Sequence, residues 1–96
     1  MSRYVLSVKA QSDLRDIWNY SYRLWGIEQA DIYIGDLRRA IESVAENPRR
    51  GRSCDMVLKG YFKVLVGSHI VFYREMGKKV AIVRILHQRM DFARHL

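Results

Sequence analysis

Two apolar stripes of helical period follow one another with almost nothing between them, and this restricts the fold more than any other feature of the chain. Leu14, Ile17, Trp18, Ser21, Leu24 and Trp25 recur at steps of three and four, the spacing of one helix face. Ala30, Tyr33, Ile34, Leu37, Ile41, Val44 and Ala45 form a second such stripe. Gly26 stands between them and supplies the left-handed stop, with Ile27 where a capping motif takes an apolar residue. Two long helices joined so tightly must lie antiparallel, as a hairpin. Ser12 is a good N-cap for the first, with Asp13 in a first turn whose dipole favours negative charge. The second begins near Glu28 or Gln29 and ends at Asn47-Pro48, because proline disfavours helix in the residue before it.

The period differs on either side of the hairpin. Tyr4, Leu6 and Val8 alternate with Val5, Ser7 and Lys9, as in a short strand. After Gly60 the period becomes two again: Tyr61 to Val66, His69 to Glu75 and Val80 to Leu86 read as strands, turning at Gly67-Ser68 and Gly77-Lys78. Between hairpin and meander, residues 49–55 read as a basic loop without an apolar anchor. The tail after Leu86 is too short for a stable lone helix, and Phe92 and Leu96 would pin one turn of it to the body. The expected architecture is α+β: an N-terminal strand, an antiparallel helical hairpin packed on an antiparallel sheet in the order β-α-α-β-β-β, and a short C-terminal tail, in one domain spanning residues 1–96.

The 96 residues carry a net charge of +7, unevenly spread. Residues 1–48 hold six Lys/Arg against seven Asp/Glu, whereas residues 49–96 hold eleven against three, a net of +8. Such a half expects an acidic partner: nucleic acid, an acidic peptide or an acidic protein groove. Cys54 is the only cysteine, which rules out an intrachain disulfide and speaks against a cysteine-built zinc site. As a nucleophile it sits beside Asp55, which raises a thiol pKa, and near arginines, which lower it; a small loop residue is the simpler reading. His69, His87 and His95 lack the spacing of a two-histidine zinc motif, so no metal is expected, and the scattered glycines form no phosphate loop, so no cofactor is expected. No apolar run approaches membrane-spanning length, and the first nine residues are too soon interrupted by charge for a signal peptide. The expected compartment is the cytoplasm.

The last strand is the oddest element. By alternation Val80, Ile82, Arg84 and Leu86 share one face and Ala81, Val83, Ile85 and His87 the other, so both faces are largely apolar while the hairpin can cover only one. The uncovered face, with Arg84 beside Lys63 or Arg74 of neighbouring strands, reads as a docking groove for an apolar segment bearing acidic side chains. Self-association or coverage by the tail are the alternatives.

The element order resembles that of the RelE/ParE superfamily of bacterial toxins from type II toxin–antitoxin pairs. The likeness rests on Asp16-Ile17-Trp18-Asn19-Tyr20 leading to Trp25-Gly26, on Asn47-Pro48 followed by Gly51-Arg52, and on residues 66–74. It rests most strongly on Val83-Arg84-Ile85-Leu86-His87-Gln88-Arg89-Met90-Asp91, which is similar to the ParE branch. RelE-like members cleave messenger RNA on the ribosome with a groove of several basic residues and often a C-terminal tyrosine. Here Leu65 and Ile70 stand at positions where that branch has arginine, and the tail has Phe92 and no tyrosine. Ribosome-dependent cleavage by Arg84, Lys63 and His87 remains as the alternative. The ParE resemblance implies a protein that does no covalent chemistry: it inhibits DNA gyrase, blocks replication and is neutralised by a ParD-like antitoxin with an acidic, amphipathic C-terminal segment. The expected gyrase-facing residues are His87, Gln88, Arg89, Met90, Asp91 and Arg94. The expected antitoxin groove is Lys63, Leu65, Arg74, Ile82, Arg84 and Leu86. A domain that grips DNA directly is the third possibility, but the basic residues follow no single helix, and DNA is expected to be reached only through the antitoxin.

Overall fold

The computed structural model describes residues 3–90 and 92–95. Asp91, among the expected gyrase-facing residues, and Leu96, expected to pin the tail, lie outside the described residues.

Strand β1 (Tyr4–Leu6) leads into helices α1 (Val8–Trp25) and α2 (Ile27–Glu46). A 3-10 turn (Pro48–Arg50) and β2 (Arg52–Ser53) follow, then β3 (Tyr61–Val66), β4 (His69–Met76), β5 (Lys79–His87) and a single helical turn, α3 (Phe92–His95). The five strands form one sheet in the order β1-β5-β4-β3-β2, with β1 parallel to β5 and the other neighbours antiparallel. The expected α+β architecture is therefore present, with a fifth strand added.

The first helix starts earlier than its stripe implies. Ser7, not Ser12, is the N-cap: its hydroxyl accepts the amide of Ala10 at 2.9 Å and donates to the carbonyl of Val83 at 2.7 Å. The Ser7 amide also bonds to the Ile82 carbonyl at 3.0 Å, so the chain leaves the sheet and enters the helix within one residue. Asp13 thus belongs to the body of α1 and not to its first turn. Gly26, at φ 89° and ψ 177°, closes α1 through its amide to Tyr22 and opens α2 through its carbonyl to Ala30. Only glycine is at ease in that conformation. The supposed basic loop is partly ordered by β2, which pairs Arg52 with Lys63 and Ser53 with Phe62.

The core lies between hairpin and sheet, where Ala10, Ile17, Leu37, Ile41 and Val44 meet Val71, Tyr73, Val80, Ile82 and Ile85. Burial in α1 stops at Ser21 and resumes in α2 at Ala30. The hairpin tip therefore holds its large side chains in solvent: Trp25, read as core from its spacing, is 65% exposed, and Leu24 and Ile27 are exposed with it. Trp18 instead stacks on Tyr22 and donates its indole N–H to Asp31 at 2.9 Å.

A bulge in β5 overturns the alternation expected there. Phe72 pairs with Arg84 but Tyr73 with Ile82, so Val83 is an extra residue. Val80 and Ile82 face the hairpin before it and Ile85 after it, while Leu86 packs on the opposite side of the sheet. There Cys54, Phe72 and Leu86 form a second, smaller core beneath Tyr61, Ile70 and Phe92. The tail thus covers part of the face that the hairpin leaves open.

Candidate functional site

Two grooves border the C-terminal end of the sheet. The first runs between α1 and the end of β5, where Asp16 and Tyr20 face His87, Met90 and His95. It exists because β1 pairs only with residues 80–82 of β5, leaving the edge beyond them uncovered by a strand. Asp13 closes that edge. Its carboxylate accepts the Ile85 amide at 2.9 Å and both Nε and Nη2 of Arg84, at 2.9 and 2.8 Å. The two side chains are only 11% and 16% exposed. The forked bonds that Arg84 donates to Asp13 raise the pKa of its guanidinium further above its already high value, so it stays charged.

At the back of this groove His69 and His87, register partners on β4 and β5, meet edge to face with ring centroids 5.4 Å apart. The Tyr33 hydroxyl reaches from α2 to within 2.6 Å of His69 Nδ1 and also accepts the Ser68 amide at 3.1 Å. Burial, reinforced by the neighbouring His87, pushes the His69 pKa down, with Asp13 opposing; burial likewise pushes the Tyr33 hydroxyl up. His69 is therefore neutral near pH 7. Burial also raises the Cys54 thiol, which sits in the second core as an unreactive packing group.

The tail leaves β5 through a turn in which the Met90 amide bonds to the His87 carbonyl at 2.9 Å and the Arg89 amide to His87 Nδ1 at 3.2 Å. Phe92 then lies flat on Phe72, with centroids 3.8 Å apart. His87, Gln88, Arg89 and Met90 are thus brought together at one end of the molecule, with Arg94 on the following turn. Gln88, Arg89 and Met90 are exposed.

The second groove lies on the outer face of the sheet, lined by Arg50, Arg52, Lys63, Leu65, Ile70 and Gln88. Of the expected antitoxin groove, Lys63 and Leu65 are here, Leu65 being 60% exposed. Arg74 is exposed and shares the outer face through its pairing with Tyr61. The other three residues of that set lie elsewhere. The bulge turns Ile82 into the main core, Leu86 is buried in the second core beneath the tail, and Arg84 is committed to Asp13. The alternative nuclease set is also divided, because Lys63 lines the outer groove and Arg84 and His87 the one beside α1. Asp13, Tyr33 and His69 were not singled out from the sequence as site residues. Each acts through a partner more than thirty residues away, which no local pattern reveals. Among the described residues, no group of three or more His, Cys, Asp or Glu is placed to hold a metal ion, and no helix is long and apolar enough to cross a membrane.

A tight helical hairpin over a five-stranded sheet, ending in a short tail, defines a small α+β protein. The profile of the family described as "ParE toxin of type II toxin-antitoxin system, parDE" matches residues 4–92. The chain is 49% identical over 96 residues to Toxin ParE1 of Mycobacterium tuberculosis, covering 99% of this chain and 98% of that protein. It is 46% identical to Toxin ParE1 of Caulobacter vibrioides, covering 100% and 99%. It is also 31% identical over 97 residues to Toxin ParE of Escherichia coli, covering 100% and 94%. A solved structure, "Chromosomal ParDE TA system from P. aeruginosa", shares the fold with a TM-score of 0.78 at 21% identity, covering 91% of this chain and 96% of that one. The chain belongs to the ParE toxin family of type II toxin–antitoxin systems.

Proposed function

We propose that this toxin arrests growth by binding DNA gyrase through its tail and performs no covalent chemistry, and that a ParD-like antitoxin holds it inert. The gyrase-facing residues are His87, Gln88, Arg89, Met90, Asp91 and Arg94. The observation that carries this reading is the locked state of Arg84. A guanidinium whose charge is answered by a carboxylate at 2.8 Å is not available to stabilise a phosphorane-like transition state. The exposed side chains of Gln88, Arg89 and Met90, in contrast, are available to a partner, while the amides of these residues hold the turn.

The antitoxin segment takes the outer groove, meeting Lys63, Leu65 and Arg74 together with Arg52. Arg52 and Lys63 are direct cross-strand partners, and like charges so placed repel. An acidic side chain laid between them relieves that repulsion, while Leu65 and Ile70 offer apolar contact beside it. DNA is reached only through the antitoxin.

The test is a supercoiling and cleavage-complex assay with purified gyrase, comparing the full chain with a chain ending at residue 87. The full chain should abolish supercoiling or accumulate cleaved plasmid, and the shortened one should do neither while still binding antitoxin. Unaffected gyrase, together with codon-phased cuts in translated messages, would overturn the proposal in favour of ribosome-dependent cleavage.

A further inference from the structure

The Asp13–Arg84 pair does more than close a sheet edge. Arg84 has one guanidinium nitrogen left after gripping Asp13, and that nitrogen, Nη1, donates to the main-chain carbonyl of His95 at 2.9 Å. One side chain therefore joins α1, β5 and the last described turn of the tail. The geometry points to Asp13 and Arg84 as positioning residues, a latch that holds the C-terminal turn, and with it the contact surface of the tail, in one arrangement. This rests on the reading of the tail given under Proposed function.

Helix α3 has four residues, too few to hold itself. The carbonyls of a final helical turn have no partner within the helix and must find one elsewhere. Two of its anchors stand at opposite ends of the turn. Phe92 stacks on Phe72 at one end of the turn, and the His95 carbonyl takes the Arg84 bond at the other. The second anchor is rigid because Arg84 is itself oriented twice: Nε and Nη2 engage both oxygens of Asp13, and Asp13 is fixed by the Ile85 amide. A planar fork with two prongs fixed can point its third in only one direction. Lysine in its place would keep one ionic contact with Asp13 but could not fork to His95.

That difference supplies the test. Arg84→Lys is the discriminating variant, and Asp13→Asn is a second one that retains an acceptor for the Ile85 amide while losing the charge. Backbone NMR order parameters for Ala93 to His95 should be about 0.8 in the native protein and fall below about 0.6 in both variants, with Val71 and Ile82 unchanged. If the released turn adopts its working arrangement a tenth of the time, gyrase inhibition should need about tenfold more protein. Antitoxin binding through the outer groove should be unchanged. Order parameters that stay high in Arg84→Lys would overturn the latch. A loosened turn with undiminished inhibition, where truncation at residue 87 abolishes inhibition, would overturn the positioning role alone. Inhibition surviving that truncation would instead overturn the tail reading, and the order parameters would still decide whether the latch exists.

Discussion

Tyr73 ties the 3-10 turn to the middle of the sheet. It is fully buried in β4, stacks on Phe62, and donates its hydroxyl proton to the Pro48 carbonyl at 2.7 Å. That bond holds the 3-10 turn, and so the start of the basic segment, against the sheet. Tyr73→Phe should cost about 1–2 kcal/mol in urea unfolding, because the ring still packs but a half-buried carbonyl loses its donor. His69 makes a different prediction. Its pKa lies below the ordinary 6.5 in the fold, since burial and His87 outweigh Asp13, while Tyr33 bonds its Nδ1. Below about pH 6.5 the unfolded chain therefore takes up this proton more readily than the folded one. Stability from this source is complete above 6.5, declines as pH falls through the folded value, and is constant below it. Unfolding followed from pH 7.5 down to the onset of carboxylate titration should show that decline, and His69→Gln should remove it. A native profile flat across the range would contradict the assignment.

At the scale of elements, the hairpin depends on one backbone conformation. Nothing lies within 4 Å of where a Cβ on Gly26 would stand, so Gly26→Ala meets no clash and the φ of +89° alone opposes it. The substitution should cost about 1–3 kcal/mol, read as a lower midpoint in thermal or urea unfolding. Gly26 was legible in the sequence because glycine at such a break has few other meanings, and the same holds for the Gly67 and Gly77 turns of the meander. The helix stripes were legible for a similar reason, since periodicity reports which residues are apolar. It does not report where the sheet beneath them ends, which is why Trp25 and Leu24 fall on the stripe and yet stand in solvent. The start of α1 was misread because Ser7 and Ser12 are equally good caps by composition, and only the Val83 carbonyl decides between them. The bulge at Val83 left no mark at all: Val, Arg and Ile in sequence fit a regular strand as well as an irregular one. Of the six residues expected in the antitoxin groove, Ile82 faces the main core before the bulge, Arg84 pairs with Asp13, and Leu86 lies beneath the tail. The expected gyrase-facing run, His87 to Asp91 with Arg94, was picked out because it carries the family resemblance most strongly and is too basic and polar for a core.

For the molecule as a whole, charge governs encounter. The net +7 sits almost entirely on the second half of the chain, which supplies the outer sheet face, the basic groove and the tail. Association with an acidic antitoxin should slow by about ten- to a hundredfold between 0.05 and 0.5 M salt, measured by stopped flow, with dissociation changing far less. A salt-independent association rate would argue against the groove around Arg52 and Lys63 as the landing surface. The sheet order carries one more consequence, for the time the chain spends being made. Strand β1 has a single neighbour, β5, so the first strand to be translated waits for the last. At about 5–20 residues per second, a ribosome needs roughly 4–15 seconds to get from one to the other. During that interval the helical hairpin exists without its floor, Asp13 without Arg84, and the outer groove only in part. The sheet therefore closes only after nearly the whole chain has been made.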